Sequence, residues 1–322
     1  MAAKNKACEI HINRIYDAPV ELVWDAWTDP EQVAKWWGPR GFTLTTHSKD
    51  LRPGGIWHYT MHGPDGTDYA NKTLYHEVVE HEKLVYDHGG YDERKPLFQV
   101  TVLFRPDGDK TIMDMTMTLP TPEQTVSTRK FIKEVGGNST WDRLAEYLEK
   151  HSHGKDCFVI NRSFDAPLEL MFEMWTNPEH FSKWLPPTGF DMKFLRSDIR
   201  PGGSNFYMMT NHTNVTLYGR VEYKEITKPS RLVYTQEFCD EHEQMSRHPM
   251  APVWPATMLS TVVLTAEGPD RTRVTVTWEP VGNVTLEELK AFIDAMPGMT
   301  LGWTGSFDKL EGLLDETQQS AV

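Results

Sequence analysis

The sequence predicts an α+β protein made of two tandem domains, each a curved antiparallel sheet wrapped around a long C-terminal helix. Three observations carry this. A set of short motifs occurs twice at a fixed spacing. Each copy opens with a strand and two short helices, then alternates with a period of two over many residues. Each copy closes on an amphipathic helical pattern. The spacing is 148 residues: Ile12-Asn13-Arg14, Asp17-Ala18-Pro19, Trp27-Thr28-Asp29-Pro30 and Lys35-Trp36 return as Ile160-Asn161-Arg162, Asp165-Ala166-Pro167, Trp175-Thr176-Asn177-Pro178 and Lys183-Trp184. Arg52-Pro53-Gly54-Gly55 and Leu84-Val85-Tyr86 keep the same offset to Arg200-Pro201-Gly202-Gly203 and Leu232-Val233-Tyr234. Solenoid repeats are far shorter, so this period is that of a whole domain. The expected division is residues 1–150, a polar linker 151–156, and residues 157–322.

Each element has its local reason. From Cys8 to Tyr16, Ile10, Ile12 and Ile15 give an alternating strand. Asp17-Ala18-Pro19 ends it and starts a helix, with Asp17 as the expected cap and Pro19 in the first turn. Val20, Val23, Trp24 and Trp27 then form an apolar stripe. Asp29-Pro30 breaks that helix and starts a second, to about Trp37. Period two follows in Phe42, Leu44 and Thr46, and in Trp57, Tyr59 and Met61, with turns at Arg52-Pro53-Gly54-Gly55 and Gly63-Pro64-Asp65-Gly66. Further strands are expected at about 68–80, 82–90, 97–106 and 110–118. From Thr121 to Lys150 a helical pattern carries Phe131, Ile132, Val135, Trp141, Leu144, Tyr147 and Leu148, interrupted by Gly136-Gly137. The second copy repeats this, with a terminal helix over 285–316 and one insertion, Cys239 to Pro255, read as a long loop that is either functional or a surface excursion.

Composition narrows the function. The formal charge of −13 opposes nucleic acid and anionic membranes as partners, since both are held by excess Lys and Arg. No apolar run reaches the roughly 20 residues of a membrane span, and Met1 to Ile10 lacks the apolar core of a signal peptide. A cytoplasmic protein without membrane insertion is therefore expected. Cys8, Cys157 and Cys239 form neither a disulfide framework nor a Cys-x-x-Cys metal pair. Walker, Rossmann and Gly-x-Ser-x-Gly patterns are absent, so no cofactor is expected and no catalytic residue stands out. The first copy holds seven histidines (His11, His47, His58, His62, His76, His81 and His88). The second keeps none of those compared, and no metal site is expected.

The ordered motifs Asp-Ala-Pro, Trp-Thr-Asp/Asn-Pro-Glu, Lys-Trp-Trp-Gly-Pro, Arg-Pro-Gly-Gly, Leu-Val-Tyr and the late Gly302-Trp303 resemble the SRPBCC (START/Bet v 1-like, helix-grip) superfamily. Within it they are most similar to the branch named after the activator of Hsp90 ATPase homologue 1. The resemblance implies a helix-grip fold around a hydrophobic pocket. It leaves the activity open among ligand binding, cyclase/dehydratase chemistry and chaperone interaction.

Phase supplies the candidate ligand-binding residues. In the first copy they are Trp57, Tyr59, Met61, Tyr75, Met113, Met115 and Met117 on the sheet, with Val102 and Phe104, facing Phe131, Val135 and Trp141 on the helix. In the second they are Asn205, Tyr207, Met209, Tyr223, Val276 and Trp278, with Val274, under Trp303. Methionines and aromatics make adaptable apolar walls, and Asn205 in place of Trp57 is read as a hydrogen-bonding group for a ligand or as part of a loop. The expected partner is a small hydrophobic or aromatic molecule.

Duplication within one chain also predicts that the halves pack as an intramolecular pseudo-dimer. Small-angle scattering is expected to fit one rigid particle. A profile that needs two independently moving lobes overturns this expectation.

Overall fold

The computed structural model describes residues 6–90, 94–134, 139–153, 156–211, 213 and 215–320. The chain forms two compact units, Met1–Ser152 and His153–Val322. In the first, a single 3-10 turn (Lys6–Cys8) leads into β1 (Glu9–Tyr16), followed by α1 (Val20–Thr28) and α2 (Pro30–Trp36). Six strands follow: β2 (Thr43–Lys49), β3 (Ile56–His62), β4 (Asp68–Val79), β5 (Lys83–Gly90), β6 (Phe98–Asp107) and β7 (Lys110–Thr118). The unit closes on α3 (Pro122–Glu134) and α4 (Ser139–His153).

The second unit holds β8 (Phe158–Phe164), α5 (Leu168–Thr176), α6 (Pro178–Trp184), β9 (Phe190–Arg196), β10 (Ser204–Asn211) and β11 (Thr216–Thr227). It continues with β12 (Arg231–Cys239), β13 (Thr257–Gly268), β14 (Arg271–Val281) and α7 (Leu286–Ser320). The sheet orders are β1-β7-β6-β5-β4-β3-β2 and β8-β14-β13-β12-β11-β10-β9, antiparallel throughout. The meander of hairpins thus ends by pairing its last strand with the first.

The repeated motifs perform the same local tasks in both units. Asp29 caps α2, its Oδ1 accepting from the Glu31 and Gln32 amides at 2.9 Å, and Asn177 does so for α6 from Glu179 at 3.0 Å. Pro30 and Pro178 occupy the first helical positions, where the missing N–H costs nothing. The Trp36 indole donates to the Ala26 carbonyl and the Trp184 indole to the Met174 carbonyl, both at 2.9 Å. These bonds fix the angle between the two short helices.

Several expectations need correction. Asp17 does not cap α1; its carboxylate pairs with Lys110 at 2.6 Å, and Pro19 stands at the N-cap without a side-chain bond. The polar stretch after residue 150 is not all linker, because α4 runs on to His153. The first unit's C-terminal pattern forms two helices, and α3 packs beside the 3-10 turn and β1 at the edge of the sheet. The apolar stripe on the core comes mainly from α4, through Trp141, Leu144 and Leu148, with Ile132 of α3 packed against the same cluster. In the second unit one helix, α7, spans the equivalent distance.

The 239–255 insertion is more than a surface excursion. Glu243 makes two bonds of 2.6 Å to Arg196 beside the sheet, and Arg247 binds Glu288 at 2.7 Å in the first turn of α7. Trp254 packs on Phe292 of that helix, with ring centroids 5.7 Å apart. Glu288 also closes a capping box with Thr285, so helix start and insertion are tied at one point.

The Arg-Pro-Gly-Gly turns rest on a close approach. A Cβ at Gly55 would lie 2.1 Å from the Asp50 carbonyl oxygen, and one at Gly203 would lie 2.3 Å from that of Asp198. Arg52 and Arg200 clasp the same aspartates at 3.0 Å, which gives these arginines a structural use in the turn. Gly55→Ala and Gly203→Ala are each expected to cost about 1–3 kcal/mol, the range for a forced backbone shift. Urea denaturation checks this, and an unchanged midpoint would refute the steric account.

Candidate functional site

Alternation places one residue in two of each strand against the helices. In the first unit this inner face carries Trp57 and Tyr59 of β3, Asn71, Thr73 and Tyr75 of β4, and Leu84, Tyr86 and His88 of β5. It continues with Val100, Val102 and Phe104 of β6 and Met113, Met115 and Met117 of β7. Register sets Trp57 opposite Thr73, Tyr75 opposite Tyr86, His88 opposite Phe98, and Val102 opposite Met115. All are buried except His88 and Phe98, which with Met61 keep partial exposure.

Indole rings build one end of this interior. Trp141 of α4 stacks on Trp27 at 5.6 Å and 12°, and Trp36 and Trp37 pack around the pair. Trp37, just past α2, reaches on to Trp57 at 5.3 Å and to the His88 ring at 6.4 Å. His88 stacks on Phe98 at 4.9 Å. Lys49 lies under this shell. Its Nζ donates to the Trp27 carbonyl at 2.9 Å and sits 4.3 Å from the Trp57 ring centroid, and burial brings its pKa down to about 7, against the opposing pull of Asp29. The ring face offsets part of the desolvation.

Three tyrosines meet on the same wall. The Tyr59 hydroxyl, near Thr73 and the Trp37 indole, is buried without a hydrogen-bond partner among the described residues, and burial raises its pKa. Burial also raises the pKa of Tyr75 and of Tyr86, whose rings are 6.0 Å apart edge to face. Among the described residues neither the Tyr75 nor the Tyr86 hydroxyl has a hydrogen-bond partner, and neither does the His88 ring. Burial pushes the His88 pKa down to about 4, with Arg94 adding to the effect, so the imidazole is neutral at pH 7. Tyr75 and Tyr86 are buried as residues, and buried polar groups in folded proteins are usually bonded.

The second unit repeats the tyrosines at the same offset, as Tyr207, Tyr223 and Tyr234, but surrounds them differently. Asn205, fully buried, accepts from Ser197 Oγ and the Asp198 amide and donates to the Tyr223 hydroxyl, each at 3.0 Å. Ser260, opposite Tyr234 on β13, sits where the first unit has Val100, and its hydroxyl lies beside that of Tyr234. Gly219 lies under the Tyr207 ring, where a Cβ would come within 2.3 Å of it. The first unit has Asn71 at that position, and Tyr59 instead stacks on Trp57 at 4.0 Å. Burial pushes Tyr207 up to about 12.

These contacts revise several expected roles. Asn205 is committed to the turn before β10 and to Tyr223, so its amide is not held out for a ligand. Trp278 lies 5.9 Å from Phe158 and 5.6 Å from Trp303, which stacks on Trp175 at 6.1 Å. Val274, Val276 and Trp303 are buried, and Trp278 packs partly buried against the same cluster. Trp141 does for Trp27 what Trp303 does for Trp175, although Trp141 aligns with Phe307, one helical turn later. Phe131 is 60% exposed on α3 and so does not face the sheet. Val135 and Gly136-Gly137 lie outside the described residues. Met209 is half-buried.

Sequence reasoning passed over His88, Tyr86 and Trp37. The available signal was phase: His88 lies two residues beyond Tyr86, on the face of Leu84. His58 and His62 do fall on the opposite face, where His62 pairs with Asp68 at 2.6 Å. Among the described residues no group of three or more His, Cys, Asp or Glu side chains is disposed to hold a metal ion, and no helix is long and apolar enough to cross a membrane.

Comparison with protein families gives a match to the model described as "Activator of Hsp90 ATPase homolog 1-like protein" over residues 17–149 and again over 165–315. Comparison with the curated proteins gives no match. Among solved structures, a protein from Nitrosomonas europaea is 24% identical, covers 46% of this chain and 99% of its own, and has a TM-score of 0.43. A protein from Arthrobacter aurescens is 28% identical over 46% of this chain and 90% of its own, with a TM-score of 0.42. The di-domain ARO/CYC BexL from the BE-7585A biosynthetic pathway is 11% identical, covers 95% of this chain and 98% of its own, and has a TM-score of 0.40.

The His88 environment yields a pH test. In the unfolded chain His88 takes up its proton near 6.5, in the folded chain only near 4, so the unfolded state binds more protons between these values. Its contribution to stability therefore falls as pH drops from 6.5 to 4, by up to about 3 kcal/mol at the bottom of that range. His88→Gln, which installs the second unit's Gln236, is expected to flatten this part of the profile in urea titrations at pH 7 and pH 4. Identical pH dependence in both proteins would refute the assignment.

Proposed function

The chain belongs to the activator of Hsp90 ATPase homolog 1-like family, with one copy of the family domain in each half, and we propose that the first copy binds a small hydrophobic or aromatic molecule between its sheet and its C-terminal helices. The observation that carries this reading is the difference between the copies. Where the second unit places the linked rings of Phe158, Trp278 and Trp303, the first has Ile10, Met117 and, by alignment, Gly137. One isoleucine and one flexible methionine stand where the second unit has two of its rings, and the aligned sequence has a glycine for the third. Methionine walls adapt to ligands of differing shape, and largely apolar cavities with a few polar groups are the usual form of small-molecule sites. The second copy, with its aromatic interior and its stitched insertion, serves in this reading as a closed structural partner.

A cyclase or dehydratase acting in the same cavity is the second reading. Its support is the neutral imidazole of His88, two residues along the strand from Tyr86, on a wall whose tyrosine hydroxyls could polarise a carbonyl oxygen. Conversion of the bound molecule, as opposed to its release unchanged, separates the two.

Native mass spectrometry of freshly purified protein tests the binding site. A small-molecule adduct is expected that dissociates on denaturation. Met117→Trp introduces the residue that the second unit carries at the same position, so the fold has a precedent for it, and the adduct is expected to disappear. Retention of the adduct in this variant would move the site elsewhere.

A further inference from the structure

The two copies differ in what their buried tyrosines bond to, and the difference defines a ligand chemistry. Tyr223 is held by Asn205 at 3.0 Å, while the Ser260 hydroxyl near Tyr234 makes no hydrogen bond among the described residues. In the first unit the residues at those two positions are Trp57 and Val100, neither of which offers the matching group, and Tyr75 and Tyr86 are left 3% and 4% exposed without a partner among the described residues. His88, on the same face two residues from Tyr86, replaces Gln236 and lies between the rings of Phe98 and Trp37, the latter replacing Leu185. One of these aligned differences, Asn205 against Trp57, thus leaves the Tyr75 hydroxyl without the bond that Tyr223 has, and another puts an imidazole where the second copy has an amide. An unbonded buried hydroxyl costs about 1–3 kcal/mol, a cost removed when a bound molecule supplies the partner.

Building on the reading of the first unit as the binding unit, we propose that Tyr75, Tyr86 and His88 form a polar end to its interior that selects a flat aromatic ligand carrying a phenolic or carbonyl oxygen. The tyrosines donate to the ligand oxygen. The unprotonated nitrogen of His88 accepts from a phenolic hydroxyl, and the aromatic rings of Phe98, Trp37 and Trp57 receive the flat body. An aliphatic chain satisfies none of these groups.

Two probes with the same ring body separate polar selection from apolar burial: 2-naphthol and naphthalene, measured on the full chain by equilibrium dialysis at pH 7. The expected result is 2-naphthol binding about tenfold more tightly than naphthalene, the worth of one net hydrogen bond. The double variant Tyr75→Phe/Tyr86→Phe and the single variant His88→Phe are expected to bring the ratio toward one while naphthalene binding persists. Tyr234→Phe in the second unit is expected to leave the ratio unchanged. Because each variant carries its own naphthalene control, a folding defect shows as loss of both probes, and circular dichroism identifies it; His88→Gln then supplies the alternative for the imidazole. Equal affinities in the unmodified protein, or a ratio insensitive to both sets of substitutions, would overturn the selection. Failure of both probes to bind would overturn the binding reading itself and the selection with it.

Discussion

A sheet that is apolar on one face must be covered, and in each unit the cover is pinned by one stack of two indoles. Trp27 on α1 meets Trp141 on α4, and Trp175 on α5 meets Trp303 on α7. Stacked indoles fix both distance and tilt, and large aromatic rings contribute more burial than any other side chain. The short helix α2 or α6 holds the stack from behind, through Trp36 or Trp184 bonded to the carbonyl of the preceding helix. The rest follows from that pin. It sets how far the helix stands from the sheet, and thus whether the remaining positions on the inner face touch it.

The two units satisfy the same constraint from different helical turns. Trp303 stands one turn nearer the start of its helix than the position of Trp141, and Phe307 takes the position of Trp141. That shift brings the second unit's aromatic mass over Trp278 and Phe158. In the first unit the indole mass stays with Trp36 and Trp37 around Trp141. The methionine face of the first unit and the aromatic interior of the second are two outcomes of where a single indole was placed.

Much of this architecture was legible in the residues. The offset of 148 located both domains, and period two located the strands and the inner-face parity of Trp57, Tyr59, Tyr75 and the methionines. Caps at Asp29 and Asn177 were readable because Asp-Pro and Asn-Pro have one common use at a helix start. What was not legible depended on contacts between distant elements. Phe131 fits a helical stripe equally well whether its helix crosses the sheet or lies along its edge, so periodicity alone could not place it outside. Asn205 was visible as a polar substitution, but its commitment to Ser197, Asp198 and Tyr223 requires three strand segments to be in place. His88 was hidden among seven histidines considered together, when its parity with Tyr86 distinguished it from His58 and His62.

The contact between Lys49 and Trp57 has a counterpart that shows how far the copies have separated. At the aligned positions stand Ser197 and Asn205, joined by a 3.0 Å hydrogen bond. One unit fills this corner with an ammonium over a ring, the other with a hydroxyl against an amide. Each solution needs both of its members. Asn205 placed opposite Lys49 would remove the aromatic face from a poorly solvated amine, and Trp57 placed opposite Ser197 would strand the Tyr223 hydroxyl and the Asp198 amide. Recombination between the halves is therefore tolerated only for stretches long enough to carry both positions, and this mutual lock preserves the difference between one interior and the other.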